Sequence, residues 1–312
     1  MGWPLFATAL ALGANLTTAA AQAPPVDEVL AVEILDLEHE RYRRMTVPVM
    51  IGGQGPFQFM IDTGAQATVV SRALADRLEL FDRRTATLVG MASRRQVETT
   101  EISDFALGSR TFFIQTAPVV EGVNIGSADG ILGLDSLQNQ RVMIDFGARE
   151  MTVADAESLG GNKGFEIIVR AREQLGQLII TSARLDGIKV AVIVDTGAQA
   201  SIGNPALLAR LRGRSLGQSE LTDINGVVMA GAVKLGRELD LGRARISNLP
   251  ILFTDSPSFH TLGLTDEPAL ILGMEELKVF KRVAIDFQAR RVLFDLPRGT
   301  GFEGAIRFGG RG

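Results

Sequence analysis

The sequence predicts a mainly β protein built from two similar barrel-like lobes, and three observations support this. A long internal repeat gives the two halves of the chain the same order of motifs. Short runs rich in Val, Ile and Phe alternate with glycine-containing turns in both halves, which is typical of antiparallel β structure. Helix signals are few and short. Two such halves in one chain can pack around a pseudo-two-fold axis, as in an isologous dimer.

The internal repeat consists of three matching blocks in the same order. Residues 59–67 (FMIDTGAQA) recur 133 positions later as VIVDTGAQA, and residues 130–133 (GILG) recur 140 positions later as LILG. Residues 141–146 (RVMIDF) recur 141 positions later as RVAIDF. The increase in offset indicates an insertion in the second half, for which residues 256–268, rich in Ser, Pro and Thr, are the candidate. The chain is therefore a tandem duplication.

Each half begins with a hairpin that leads into an aspartate. Residues 47–61 form two apolar runs around a Gly-rich turn, and the second run ends at Asp62. Residues 179–194 form the counterpart around an Asp-Gly turn, a strong two-residue hairpin signal, and this run ends at Asp195. Both aspartates therefore follow a buried strand, which provides a rigid support for a reactive group.

Short helices and a second hairpin follow in each half. Ser71 is a candidate N-cap for a helix over residues 72–80, and Asn204-Pro205 starts another. Residues 85–98 and 220–234 predict hairpins with tips near Gly90 and Gly226.

The N-terminal segment is typical of a secretory signal peptide. Residues 3–14 are apolar and uncharged, and Ala21-Gln22-Ala23 follows as a cleavage site. The run is shorter than the about 20 apolar residues of a transmembrane helix. No Lys or Arg precedes it, and a buried or disordered N-terminal segment is the alternative. No later segment has 18 uncharged apolar residues, so we expect a soluble, exported mature chain.

Repeat and composition together divide the chain into six predicted segments. Glycine-rich sequence marks the connection between the two lobes, and a Gly/Arg-rich tail ends the chain. The arginine-rich lead-in segment suggests a pro-segment whose arginine blocks the acidic site. The predicted segments are a signal peptide over 1–23, a lead-in segment and candidate pro-segment over 24–45, an N-terminal lobe over 46–155, a linker over 156–164, a C-terminal lobe over 165–297 and a flexible tail over 298–312.

Composition excludes several kinds of site. The 312-residue chain has a net charge of −4 and lacks the basic patch typical of nucleic-acid-binding proteins. It has no cysteine, which excludes disulfides, thiolate zinc sites and cysteine nucleophiles. The two histidines, His39 and His260, are too few for a three-histidine zinc site, and neither H-E-x-x-H nor G-x-S-x-G occurs. Carboxylates are the remaining candidates for catalysis, and we expect neither a metal nor a cofactor.

Asp62 and Asp195 are the candidate catalytic residues, because each opens an Asp-Thr-Gly turn after a buried strand. If the two turns meet at the pseudo-axis, the carboxyls come within hydrogen-bond range and share one proton, since like charges that close cannot both ionise. Such a pair can activate a water and protonate a carbonyl without a metal or a covalent intermediate. One Asp-Thr-Gly is a weak signal, whereas two in matching contexts are specific. The alternative is a duplicated site without activity.

These motifs resemble the active-site turns of the pepsin and retropepsin superfamily of aspartic peptidases. The matching turns are Asp-Thr-Gly-Ala at 62–65 and 195–198, and residues 128–134 and 270–273 look like the segments that close the ψ-shaped loop in pepsin-like lobes. The small halves are closer to retropepsins, and to bacterial exported proteins with two retropepsin-like domains. The resemblance spans about residues 46–297 and implies two closed-barrel lobes related by a pseudo-two-fold axis.

The resemblance also implies roles for residues around the aspartates. Threonines of the two turns would interlock across the axis, and the glycines would lie against the dyad. The supporting turn residues would be Thr63, Gly64, Ala65, Thr196, Gly197 and Ala198. The second hairpins would act as flaps over an extended peptide that binds by strand addition. The flap residues would be Gly90, Met91, Ala92, Gly226 and Val227. Pepsins carry a flap tyrosine, but Tyr42 is the single tyrosine here, so substrate preference does not carry over.

Two further patterns are interpreted as structural. Residues 299–304 fit G-x-G-x-x-G but lack the strand-helix-strand unit of a dinucleotide site. Asp145 and Asp286 recur together with Arg149 and Arg290, and we expect local ion pairs there.

Together, the features predict an aspartic endopeptidase that acts on extended peptide or protein segments and is active as a single chain. The signal peptide and the resemblance favour the periplasm or cell envelope of a bacterium. The main alternative is an inactive peptidase-like module that binds a peptide or protein without cutting it. A glycosidase, whose two carboxyls stand about 5 Å or more apart, receives no support from the duplication.

Overall fold

The computed structural model describes residues 46–126, 128–242 and 244–297, and it shows two β lobes joined by a shared sheet. The predicted signal peptide, lead-in segment and tail lie outside these residues. The mainly β fold class with few short helices is confirmed.

The described residues of the first lobe form nine strands and two short α-helices. Its strands are β1 (Thr46–Ile51), β2 (Gln54–Ile61), β3 (Val69–Ser71), β4 (Arg84–Val89), β5 (Arg94–Leu107), β6 (Arg110–Val120), β7 (Gly130–Leu132), β8 (Arg141–Asp145) and β9 (Glu150–Ala154). Its helices are α1 (Arg72–Arg77) and α2 (Leu134–Leu137), with a 3-10 turn at Gly122–Ile125. Seven strands form one sheet in the order β1-β2-β7-β3-β6-β5-β4, and β1 also pairs with β5. This pairing closes six of the strands into a barrel, and β4 extends from it in a hairpin with β5.

The second lobe repeats this plan with more interruptions. Its strands are β10 (Ile167–Arg170), β11 (Arg172–Gln174), β12 (Gln177–Ile180), β13 (Arg184–Leu185), β14 (Ile188–Lys189), β15 (Ala191–Val194), β16 (Ser201–Gly203), β17 (Arg214–Thr222), β18 (Val228–Asp240), β19 (Arg245–Phe253), β20 (Ala269–Leu272), β21 (Arg282–Asp286) and β22 (Arg291–Asp295). Its helices are α3 (Pro205–Leu208), α4 (Pro257–Thr261) and α5 (Met274–Leu277). The sheet runs β11-β12-β15-β20-β16-β19-β18-β13-β14, with β17 paired to β18. The equivalent of β1 is split into β12 and β13, which pair with opposite ends of the sheet.

A five-stranded sheet in the order β10-β22-β21-β8-β9 joins the lobes. Its centre is the antiparallel pair of β8 and β21, which sets Arg141 opposite Asp286. Their side chains form a buried ion pair at 2.6 Å, and Arg291 adds a second contact to Asp286 at 3.2 Å. The expected local pair of Asp286 with Arg290 is wrong, because Arg290 instead contacts Glu173 at 2.9 Å. Asp286 instead pairs with Arg141, because the register of β21 against β8 of the first lobe sets these two residues opposite each other.

Asp145 likewise does not form the expected local ion pair. Its Oδ1 accepts the backbone N–H of Ala148 at 2.9 Å, which stabilises the turn between β8 and β9.

Helix caps follow the sequence signals with one change in length. Ser71 Oγ accepts the N–H of Leu74 at 3.1 Å and starts α1. The helix ends at Arg77 instead of residue 80, because Leu78 leaves helical geometry and Glu79 adopts a φ of 55°. The predicted insertion at 256–268 contains α4, capped by Ser256. Within the described part of the chain, no helix combines the length and apolar character needed to span a membrane.

Buried apolar side chains alternate along the strands and form the core. In β1, Val47, Val49 and Ile51 point inward while Pro48 is exposed. One large cluster of such residues runs through both lobes and the shared sheet. This rigid frame positions the turns that follow β2 and β15.

Candidate active site

Asp62 and Asp195 occupy equivalent positions in the two lobes. Asp62 follows the last residue of β2, and its N–H donates to Leu132 O in the parallel neighbour β7 at 3.0 Å. Asp195 follows β15, and its N–H donates to Leu272 O in β20 at 3.1 Å. Each aspartate is therefore held at the end of a buried strand by the next parallel strand.

The two turns interlock through their threonines. The Oγ1 of Thr63 donates to Val194 O at 2.8 Å and accepts the N–H of Thr196 at 3.1 Å. Reciprocally, Thr196 Oγ1 donates to Ile61 O at 2.7 Å and accepts the N–H of Thr63 at 3.1 Å. All four bonds cross between the lobes, and both threonines are buried. The interlock fixes one aspartate-bearing turn against the other.

Each carboxyl is oriented by the backbone of its own turn. Asp62 Oδ1 accepts the N–H groups of Gly64 at 2.8 Å and Ala65 at 3.0 Å. The same pattern in the second lobe has Asp195 Oδ1 accepting from Gly197 at 2.8 Å and from Ala198 at 3.2 Å. One oxygen of each aspartate is thereby engaged, which leaves the other for the partner carboxyl or for a ligand.

The glycines of the turns are required by the close approach of the opposite carboxyl. A Cβ on Gly64 would lie 2.3 Å from Oδ2 of Asp195, and a Cβ on Gly197 would lie 2.3 Å from Oδ2 of Asp62. No side chain fits at such distances. The two carboxyls consequently sit in one compact group at the axis between the lobes.

Burial raises the pKa of both carboxyls above the ordinary aspartate value of 3.8. For Asp62 the negative charge of Asp195 adds to burial and raises the pKa well above that value. The two side chains lie close enough to hydrogen-bond to each other once one of them carries a proton. Because the two groups titrate as a pair, the pair retains one proton at a pH where an isolated aspartate would be ionised.

A second layer of hydroxyl–carboxyl pairs, in which both hydroxyls are buried, supports the turns. In the first lobe Thr68 Oγ1 donates to Asp135 Oδ1 at 2.6 Å, and in the second lobe Ser201 Oγ donates to Glu276 Oε2 at 2.5 Å. Each hydroxyl also accepts the N–H of the glycine that follows the neighbouring strand. Burial raises the pKa of both acids, and the hydroxyl hydrogen bonds oppose that rise. These pairs hold the loop that closes around each turn.

Gln177 on β12 is a site residue that the sequence analysis missed. Its buried Nε2 donates to the carbonyl oxygen of Gly64 at 2.5 Å, and so ties the second lobe to the turn of the first. Its Oε1 has no hydrogen-bond partner among the residues the structure describes. The residue 133 positions earlier is Arg44, so comparison of the two halves gives no signal for a glutamine there.

The predicted flap residues lie at the tips of two hairpins that touch each other. Gly90 and Ala92 contact the carboxylate of Asp223, which lies at the other tip. Met91 packs against an apolar cluster of the second lobe. On the second hairpin Gly226 has a φ of 76°, and the N–H of Val227 donates to Asp223 at 3.0 Å. The structure therefore brings both predicted tips together, around a residue that was not predicted.

The remaining candidates do not form a second site. His260 forms an exposed pair with Asp255 at 2.7 Å on α4, and His39 lies outside the described residues. Over residues 46–126, 128–242 and 244–297, no group of three or more acidic or histidine side chains is arranged to hold a metal ion.

Each half of the duplicated chain matches a model of a known protein family. A family model described as "gag-polyprotein putative aspartyl protease" matches residues 47–139, and one described as "Aspartyl protease" matches residues 181–275. No curated protein matches the chain. Each matched range contains one Asp-Thr-Gly turn, so both halves carry the family pattern together with the paired geometry described above. The chain therefore belongs to the retropepsin-like aspartic peptidase superfamily, with two tandem domains.

Proposed function

We propose that the protein is an aspartic endopeptidase that hydrolyses peptide bonds with a water activated between Asp62 and Asp195. The observation that carries the proposal is the meeting of two carboxyls, one from each lobe, fixed by reciprocal threonine hydrogen bonds. Both carboxyls come from the same chain, so a single chain supplies the complete dyad.

The chemistry requires a pair that holds one proton. The ionised carboxyl accepts a proton from water while the water oxygen adds to the carbonyl carbon of the substrate. The protonated carboxyl gives its proton to the carbonyl oxygen, which forms a neutral tetrahedral diol. Collapse of the diol breaks the C–N bond: the leaving nitrogen takes the proton of the protonated carboxyl, and one diol hydroxyl gives its proton to the ionised carboxyl, which restores the singly protonated pair. Because the pair titrates as a unit, neither aspartate is assigned as base or acid.

An extended peptide is the substrate class that the surroundings favour. Ala198 and Ala65, which follow the two turns, border buried apolar clusters of their own lobes. The two hairpins β4–β5 and β17–β18 provide main-chain edges with which an extended segment can pair. We also propose that the protein acts outside the cytoplasm, in the periplasm or cell envelope, because of the apolar N-terminal run and its A-x-A site.

The test is cleavage of a mixed peptide library by the purified chain, starting near Pro24, over pH 3 to 8. We expect Asp62→Asn and Asp195→Asn each to lower cleavage by about 10²-fold or more, because each removes one acid–base group. Asp145→Asn is the matched control, since Asp145 only caps a turn and asparagine can accept the same hydrogen bond. Wild-type-like activity in either dyad variant would refute the mechanism. Binding of peptides without turnover by the folded chain would favour the inactive binding module.

A further inference from the structure

The tips of the two hairpins are joined by one buried carboxylate. Asp223, at the tip of β17–β18, is 2% exposed. Its Oδ2 accepts the Oγ–H of Ser93 at 2.7 Å and the N–H of Ala92 at 3.1 Å, both on the tip of β4–β5. Its Oδ1 accepts the N–H groups of Asn225 at 2.9 Å and Val227 at 3.0 Å in its own tip. One oxygen thus shapes its own turn, and the other holds the opposite hairpin.

Two more polar contacts cross between the tips. Asn225 Nδ2 donates to Ser93 Oγ at 2.9 Å, and Arg95 Nη1 donates to Asn225 O at 3.1 Å. Ser93 therefore donates to Asp223 and accepts from Asn225, so that its hydroxyl is engaged in both directions. We call the group of Ser93, Asp223 and Asn225 the latch.

The latch has no symmetric counterpart, although the two hairpins are repeats of each other: only the second hairpin carries an aspartate at its tip. The residue 133 positions before Asp223 is Gly90, and Gly90 lies against the Asp223 carboxylate. A Cβ on Gly90 would lie 2.4 Å from Oδ2 of Asp223, so there is room for one side chain and not for two. Two identical halves would carry the same residue on both tips. A single chain whose halves differ can place a carboxylate on one tip and a glycine on the other.

Apolar residues next to the latch cross between the lobes in both directions. Met91 follows Gly90 and packs on the second-lobe cluster that contains Ala198, and its Sδ accepts the Oγ–H of Ser258 at 3.3 Å. Ile224 follows Asp223 and packs on the first-lobe cluster. Each tip therefore seats on the wall of the opposite lobe, and lifting one tip requires release of the carboxylate that holds both.

We propose that Asp223 is a positioning residue that fastens the two hairpins, so that they open and close as one gate over the dyad. This rests on the proposed peptidase function. The latch is closed in the free protein and in the peptide complex, and it opens only while peptide enters or leaves. Its loss destabilises both closed states by the same amount relative to the open state, so the barrier falls for both passages while the affinity for peptide changes little.

The first experiment measures gate opening without any substrate. Spin labels on Thr87→Cys and Glu220→Cys, exposed positions on the two hairpins of a chain without native cysteine, report the separation of the hairpins by pulsed dipolar spectroscopy. In the Ser93→Ala background we expect a new population at longer distance. Amide exchange of Ala92, whose N–H donates to Asp223, should accelerate by about 10-fold or more. Ser219→Ala, the same substitution in the stem of the second hairpin, should change neither quantity.

The second experiment separates a gate from damage to the site. The probe is a hexapeptide with a hydroxyethylene group in place of the central amide, bound to wild type and to Ser93→Ala. We expect the association and dissociation rate constants to rise by the same factor, about 10-fold, with Kd within about twofold of wild type. Ser93→Thr, which keeps the hydroxyl, should restore both rates. A rise in Kd without faster association would mean that Ser93 supports the structure of the site, and would overturn the proposal.

The two proposals can fail separately. Unchanged spin-label distances and unchanged exchange of Ala92 in Ser93→Ala would refute the latch even if the protein cleaves peptides. A gate that opens in Ser93→Ala, in a protein that neither cleaves peptides nor binds the probe, would leave the latch standing and refute the peptidase.

Discussion

Replacing Thr196 by valine tests how much the threonine interlock contributes to the free energy of unfolding. The change removes a hydroxyl that donates to Ile61 O at 2.7 Å and accepts the N–H of Thr63 at 3.1 Å. Both backbone groups then lose a buried partner, at about 1–3 kcal/mol each, so we expect a loss of about 2–6 kcal/mol in the free energy of unfolding. Domains of ordinary stability have about 5–15 kcal/mol in total, so the effect is large.

Urea unfolding followed by circular dichroism measures this loss, with Thr196→Ser as the matched control. Serine keeps the hydroxyl, and we expect it to stay within about 1 kcal/mol of wild type because only a methyl group is removed. The valine variant should also lose activity at urea concentrations at which it is still folded, because Thr196 holds the first-lobe turn against Asp195. If valine and serine variants unfold at the same urea concentration, the interlock does not stabilise the junction and the reasoning is wrong.

Three further predictions concern charge and close packing. Burial raises the pKa of Asp62 and Asp195, so the dyad destabilises the fold as the pH rises above 3.8, and Asp62→Asn should exceed wild type in Tm at pH 7 with a difference that shrinks towards pH 4. Arg141→Met leaves Asp286 buried with a weaker partner and should cost about 3–5 kcal/mol in urea unfolding, largely recovered in the double variant with Asp286→Leu. Gly64→Ala should fold but lose cleavage by about 10²-fold or more, since its Cβ would displace the Asp195 carboxyl.

Local patterns in the sequence predicted the elements that carry the aspartates. Apolar alternation before Asp62, and an Asp-Gly turn before Asp195, gave the hairpins found in the structure. The repeat indicated that two equivalent turns could meet at an axis, and the reciprocal threonine hydrogen bonds show this meeting. Such features depend on local sequence and occur in both halves, so the same pattern in one half supports the prediction made from the other.

Contacts between unlike residues of the two halves could not be predicted in this way. Asp286 pairs with Arg141 because β8 and β21 lie side by side in a register that no local pattern encodes. Gln177 reaches Gly64 from a strand whose counterpart position carries an arginine. In both contacts the partners lie more than 100 residues apart and differ between the halves, so a search for repeated motifs passes over them.

The duplication explains why symmetry is kept at the dyad and broken at the hairpin tips. In a homodimer, identical residues must meet at the axis, so a tip aspartate would face its own copy and repel it. In the fused chain one tip carries Asp223 and the other Gly90, and a single carboxylate accepts hydrogen bonds from both tips with no aspartate at the equivalent position of the first tip. The threonine interlock needs the same residue on both sides, because each hydroxyl serves the backbone of the other lobe. The threonine positions therefore stay alike because each lobe needs the hydroxyl of the other, and the tip positions differ because two aspartates there would repel each other.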